Sequence, residues 1–210
     1  MKLTEGVAEL VGALIGDGYI YRKNGKYQIG FVGNPKTDVE YYTKLQKLIL
    51  SEWNKKANIK FRERGIRMVI NSKETSDFLV NNLRICYGEG KCEKVKIPHE
   101  MTKDWKLVRN VLRGIADTDG SVFIAQKQGA KNYPSIEITT SSIKLANQIR
   151  NILIKRNFRV VNIWSYKSKM SKRTTYKVPL NGKKNLRKWI DEIGFSNTYK
   201  LERAINYLKN

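Results

Sequence analysis

One nine-residue pattern occurs twice in this chain. It runs Leu10-Val11-Gly12-Ala13-Leu14-Ile15-Gly16-Asp17-Gly18, and half a chain later Leu112-Arg113-Gly114-Ile115-Ala116-Asp117-Thr118-Asp119-Gly120. Each copy reads as an apolar helix with small residues four apart, Gly12 and Gly16 in the first, Gly114 and Thr118 in the second. Each ends in Asp-Gly and leads into a strand-like run, Tyr19-Ile20-Tyr21 or Ser121-Val122-Phe123. A glycine inside a helix costs about 1 kcal/mol relative to alanine, so these positions need a reason. Stacked on one helical face, small residues let a second backbone come close. If the two motif helices pack in parallel through those faces, Asp17 and Asp119 meet at one end. That end is the partly negative C-terminus, where two carboxylates are unfavourable unless a cation lies between them. Hard divalent cations with oxygen ligands suit such a place. The repeat therefore predicts a pseudo-symmetric protein with a metal-binding carboxylate pair on its internal twofold axis.

The rest of the chain repeats with the motif. In the first half, residues 7–16 read as the motif helix. Strands 19–23 and 26–32 flank Asn24-Gly25, a strong hairpin signal. Helical periodicity follows over 38–55, then a second hairpin turning at Gly65, then a helix that Ser72 caps. In the second half the motif helix spans 107–117, strands 121–126 and 135–140 enclose a basic turn, and 142–156 is helical. Strands 160–166 and 174–180 come next, with helices 183–193 and 197–208 at the end. The order is α-β-β-α-β-β-α, twice, which predicts an α+β fold of two halves, 1–100 and 101–210, with one central interface. The connections 88–98 and 127–133 read as the loosest segments, the second as the extension of a hairpin.

These residues resemble the LAGLIDADG homing endonucleases in their single-chain, two-motif form, and the resemblance covers nearly the whole chain. The first copy departs from the family pattern at Val11, Ala13 and Ile15, all packing positions, and keeps its terminal acid. The resemblance implies a motif helix at the centre of each half leading into a saddle-shaped antiparallel sheet. It implies that the last Asp of each motif, Asp17 and Asp119, is a catalytic ligand of Mg²⁺ or Mn²⁺. It also implies a lysine near each scissile phosphate, before the terminal helix of each repeat. Lys94 lies six residues after Gly88 and Lys200 six after Gly194, and this matched spacing selects them, with Lys91 as the alternative in the first half. The carbonyls of Gly16 and Thr118 are candidate extra oxygen donors to metal. Asn34 and Thr140 are weaker candidates for ordering water. Asp117 is not expected to be catalytic, because its counterpart is Ile15.

Charge narrows the partner. Lys and Arg number 41 against 19 Asp and Glu, a net +22, which is an electrostatic footprint for a polyanion. Strands send alternate side chains to one face. The first half thus offers Tyr19, Tyr21, Lys23, Lys26, Gln28, Arg62, Arg64 and Arg67. The second offers Ser121, Phe123, Gln126, Gln128, Lys131, Tyr166, Lys167, Lys169, Lys172, Arg173, Thr175 and Lys177. Residues 165–184 hold seven Lys/Arg and no acid, which reads as a hairpin whose tip grips phosphate. A two-stranded ribbon fits the major groove of duplex DNA, where Arg and Gln read base edges while lysines set affinity and register.

Other classes fall away. No run approaches the ~18 apolar residues of a membrane span. The start, Met1-Lys2-Leu3-Thr4-Glu5, has no signal-peptide run, so an intracellular protein of the cytoplasm or an organellar matrix is expected. Cys86 and Cys92 are too few and too oddly spaced for zinc or a disulfide framework. His99 is the single histidine, which excludes Ser-His-Asp chemistry and a histidine-rich metal site. No Cys or Ser opens the chain and no His-Asn closes it, so the pattern reads as free-standing or intron-encoded rather than as a splicing module. The sequence predicts a monomeric, divalent-metal-dependent endonuclease that cuts both strands of a long DNA site. The alternatives are an intron RNA maturase or a non-cleaving DNA-binding protein on the same scaffold.

Overall fold

The first helix, α1 (Glu5–Ile15), begins where the Thr4 hydroxyl accepts the Val7 amide at 3.0 Å. Its apolar residues are buried all round, because it sits at the centre of the molecule. Strands β1 (Gly18–Lys23) and β2 (Lys26–Gly33) form a hairpin through Asn24 and Gly25, both at positive φ (52° and 71°), as a two-residue turn of this hand requires. Helix α2 (Val39–Trp53) buries Tyr41, Tyr42, Leu45, Ile49 and Trp53, and ends at Asn54 in the left-handed conformation. Strands β3 (Asn58–Arg62) and β4 (Gly65–Asn71) follow, then α3 (Lys73–Asp77), capped by Ser72 and continued by a wider π-helical turn over Phe78–Asn82. This is a computed structural model, and it describes residues 1–62, 65–167 and 173–209, the side chains of Ala130 and Lys131 excepted.

The second half repeats the order with α5 (Trp105–Asp119), β5 (Gly120–Lys127), β6 (Ala130–Thr140), α6 (Ile143–Lys155), β7 (Trp164–Lys167), β8 (Thr174–Asn181), α7 (Lys183–Glu192) and α8 (Thr198–Lys209). Each half forms a four-stranded antiparallel sheet of the same topology, β1-β2-β4-β3 and β5-β6-β8-β7. Ile29, Phe31, Ile66, Met68 and Ile70 turn inward from the first sheet, and Ile136, Ile138, Val178 and Leu180 from the second. These belong to one apolar core that continues through both motif helices.

Two segments differ from the sequence reading. The connection expected to be loose holds a short helix, α4 (Lys91–Lys94), set up by Gly88 and Gly90 at positive φ. The edge strand β7 starts at Trp164 rather than near 160, where only an isolated bridge joins Val160 to Leu180. The stretch before it is β-branched, yet Val161 is exposed, so little burial holds it to the sheet. Among the described residues no helix is long and apolar enough to cross a membrane.

The expected packing of α1 on α5 is present, and it is tight. A Cβ added to Gly12 would lie 2.2 Å from the Val111 carbonyl oxygen, and one on Gly114 would lie 2.3 Å from that of Glu9 and 2.6 Å from the Ala13 nitrogen. A third, on Gly16, would lie 2.1 Å from the Thr118 hydroxyl. Backbone meets backbone at Gly12 and Gly114, and Gly16 meets the Thr118 side chain, which explains the small residues at four-residue spacing.

Candidate active site and nucleic-acid interface

Parallel packing brings both motif acids to one end of the helix pair. Asp119 is the last residue of α5, and Asp17 follows Gly16, the cap of α1. A Cβ on Gly16 would stand 3.2 Å from the Asp119 carboxylate, so that carboxylate rests against the end of the other motif helix. Burial pushes the Asp17 carboxyl up to about 6 and that of Asp119 up to about 7, the latter helped by the charge of Asp17.

Two buried ammonium groups stand beneath them. Lys200 Nζ donates to the carbonyls of Ala116 (2.9 Å), Asp117 (2.7 Å) and Thr118 (3.0 Å). Lys91 Nζ donates to Leu14 (2.7 Å), Ile15 (3.3 Å) and Gly18 (2.5 Å). Leu14, Ile15, Asp117 and Thr118 offer the carbonyls that a helix C-terminus leaves open, whereas Gly18 lies in β1 and Ala116 also accepts the Gly120 amide. Burial pulls both lysines down, and the motif carboxylates oppose that shift. Lys91 passes over Gly16, whereas Lys200 takes the carbonyl of its counterpart Thr118.

The structure thus brings Asp17, Asp119, Gly16, Thr118 and Lys200 together, and Lys91 with them. Lys94 lies on the exposed side of α4, with its side chain near Gly90. The matched glycine spacing does not translate into matched positions, because Lys91 opens α4 while Lys200 is the third residue of α8. Asn34 and Thr140 make local turn contacts: Asn34 accepts the Lys36 amide and Thr140 the Ser142 amide. Asp117 is buried and accepts the amides of Ser196 (2.9 Å) and Asn197 (3.1 Å), which anchors the start of α8.

On the first sheet, the strand face turned away from the core carries Tyr19, Tyr21, Lys23, Lys26, Gln28, Arg62 and Arg67. Arg67 lies 5.3 Å over the Tyr19 ring and donates to the Tyr19 hydroxyl and to Gln28 Oε1, while Gln28 donates to Asn71. Asn58, Lys60 and Asn71 share this face; the alternation that selects Arg62 selects Lys60 as well. On the second sheet, Ser121, Phe123, Tyr166, Thr175 and Lys177 share the equivalent face. Lys167 pairs with Thr174 and so falls on the opposite side from Tyr166. Gln126 and Gln128 are exposed near the β5–β6 turn, beside a register shift at 125–127. Arg173 pairs with Glu93 on α4 at 3.2 Å. Arg64, Lys169 and Lys172, and the side chain of Lys131, lie outside the described residues. Glu137, not expected from the sequence, faces the same way and pairs at 2.6 Å with Lys177, whose ammonium lies 4.9 Å over the Trp164 ring.

Two halves share a pair of motif helices, with an acid at the end of each and a basic four-stranded sheet on either side. Residues 106–194 match the LAGLIDADG-like domain family. The fold is similar to that of the homing endonuclease I-DmoI, seen in complex with DNA and Mn. The TM-score is 0.61 at 14% identity, over 93% of this chain and 99% of that one. It also matches the N-terminal LAGLIDADG domain of WhiA, with a TM-score of 0.59 at 17% identity, over 94% of this chain and 88% of that one. Among curated proteins, it is 29% identical over 203 residues to the replication factor C small subunit of Thermococcus kodakarensis, covering 97% of this chain and 21% of the relative. It is 26% identical over 206 residues to the protein of that name from Methanocaldococcus jannaschii, covering 98% of this chain and 10% of the relative. The chain thus spans a tenth to about a fifth of the length of these relatives.

Proposed function

We propose that this protein is a site-specific double-strand DNA endonuclease of the homing type, acting as a monomer with Mg²⁺ or Mn²⁺. The observation that carries this reading is the pair of half-buried carboxylates, Asp17 and Asp119, at the common end of α1 and α5. The donor set fits a hard divalent cation: two carboxylates whose burial penalises their charge, with backbone oxygens close by. Among the described residues no third His, Cys, Asp or Glu joins these two in a cluster. That matches sites in which one or two carboxylates share the cation with substrate phosphates and water. A divalent ion there supplies an activated water and relief of charge on the leaving 3′ oxygen.

The chain's own residues do the rest. Asp17 and Asp119 hold the cation, and the Gly16 carbonyl is a further oxygen donor. Lys23, Lys26, Lys60, Arg62 and Lys177 neutralise phosphate; Arg67, Gln28 and Glu137 are placed to read base edges. I-DmoI supports this reading, since it holds DNA and Mn on the same fold. The test is incubation with Mg²⁺ and a plasmid library of randomised duplex sites, followed by recovery of linearised molecules. The parent should cut a restricted set of sites. Asp17→Asn and Asp119→Asn should bind those sites and cut none. Binding without cutting by the parent would assign a DNA-binding role, and preference for structured RNA a maturase role.

A further inference from the structure

We propose that the outer end of the second half carries a groove for backbone phosphates of the same duplex beyond its base-read site, so that flanking DNA is gripped on one side only. The inference rests on the endonuclease reading and extends its substrate past the two sheets. Five cations line the groove. Lys127, Arg159, Lys183 and Lys184 meet where β5 and β8 end and α7 begins, and Arg187 follows one turn further along α7. All five are exposed, and among the described residues none of them is in an ion pair. The neighbouring Glu192 is taken by Lys188 (2.5 Å) and Arg156 (3.4 Å), and Asp191 stands at the far end.

The groove continues the sheet face already assigned to DNA. Tyr133 pairs with Ala125 and Asn181 with Ser135, so both keep the alternation of Phe123 and Lys177, and both line the groove. Lys127 lies 4.4 Å over the Tyr133 ring. Arg159 is fixed beside α7 by a buried side chain: Asn185 accepts the Arg159 amide at 3.0 Å and donates to its carbonyl at 2.8 Å. Cations thus lead from the sheet around the start of α7 to its outer side, a course open to the end of a duplex lying on the sheet.

The first half shows the contrast. Helix α3 and its π-helical turn follow the last strand of their sheet as α7 does, and Thr75, Ser76 and Leu79 are buried as Asn185, Leu186 and Trp189 are. That register sets Lys183 against Lys73, Lys184 against Glu74 and Arg187 against Asp77. Glu74 pairs with Lys55, and Asp77 with Arg22. The first half therefore has closed ion pairs where the second has open cations. Like charges gathered at one place repel, and a polyanion offsets that repulsion. Backbone phosphate does so by releasing counterions, without any reading of sequence.

The test uses duplexes carrying a site recovered from the plasmid library, bare or lengthened on either side by one helical turn, ~10 base pairs. Arg67→Ala, which relaxes base preference under the first sheet, tells the two sides apart. Extension beyond the second half-site should tighten binding roughly fivefold, and extension beyond the first by less than about twofold. The triple change Lys183→Ala, Lys184→Ala and Arg187→Ala should abolish the difference. Equal gain from both extensions, or a gain that survives the triple change, would overturn the proposal. A triple change that weakens binding of a structured RNA, while neither extension tightens binding of DNA, would give the groove to RNA and overturn it as well. If no site is recovered, the endonuclease reading falls and the groove is still measured. On random-sequence duplex of ~40 base pairs the triple change should flatten the salt dependence by about two units of slope, and an unchanged slope would sink the groove.

Discussion

Lys200 and Asp117 lock two helices together in both directions. The Lys200 ammonium donates to the Asp117 carbonyl at 2.7 Å, and the Asp117 carboxylate accepts the amides of Ser196 and Asn197 at the head of the helix that carries Lys200. The end of α5 is thus tied to the start of α8 through one residue's backbone and side chain.

Asp117→Ala should therefore destabilise the protein although Asp117 holds no metal in the proposed site. Two buried amides lose their acceptor, and each such loss costs about 1–3 kcal/mol. Urea unfolding should show a drop of about 2–4 kcal/mol, with reduced cleavage because Lys200 loses its anchor. A variant as stable as the parent would show that water replaces the carboxylate without penalty.

Gly12→Ala and Gly114→Ala should each cost at least about 2 kcal/mol, against the ordinary helical gain of about 1 kcal/mol for this exchange. The added Cβ would meet backbone oxygens at 2.2 Å and 2.3 Å, and backbone cannot rotate away as a side chain can. Guanidinium unfolding of the two variants checks this; a stabilised Gly114→Ala would contradict the packing.

The metal-free protein should lose stability as pH rises from about 5 to about 8. Folding raises Asp17 to about 6 and Asp119 to about 7, so the native state keeps protons that the unfolded chain releases near pH 4. Stability from this source is full below the unfolded value and is lost as pH climbs through the folded ones. Burial raises Asp117 to about 7 as well, so Asp119→Asn should remove only part of the slope, with a gain on the order of 2 kcal/mol at pH 8 over the metal-free parent. A parent and variant with parallel pH profiles would mean that Asp119 titrates normally.

DNA affinity should fall steeply with salt, because neutralised phosphates release counterions. Lys60→Ala should weaken all sequences alike and flatten the salt dependence by about one unit of slope. Arg67→Ala should relax base preference at one position in the first half-site, since its guanidinium is held over Tyr19 beside Gln28. Competition binding across single-base variants of the site separates the two effects.

The sequence carried the fold well, because the signals behind it are local or periodic. Gly12 and Gly114 announce a close helix contact, Asn24-Gly25 announces a hairpin, and alternation over residues 26–32 announces a one-sided strand. The acids Asp17 and Asp119 were legible for the same reason: they end the repeated motif. The lysine that meets the first motif helix was legible only as the alternative, since spacing along the chain favoured Lys94 over Lys91. The path from Gly88 to the helix end is set by the left-handed Gly90 and the short α4, which bring Lys91 to the carbonyls instead. Glu137 escaped for a different reason. Its place on a basic face depends on pairing with Lys177 across neighbouring strands, and no local pattern records that.

The small offset between the two lysines has a consequence for how a duplex is processed. Lys200 takes the carbonyl before Asp119, whereas Lys91 skips the one before Asp17 and reaches past it to Gly18. The repeat symmetry of the chain therefore breaks where the proposed chemistry takes place. A palindromic sequence laid across the two sheets would still present its top and bottom strands to unlike pockets. Nicked intermediates open on one chosen strand are the expected signature, and the order of the two cuts belongs to the protein rather than to the DNA.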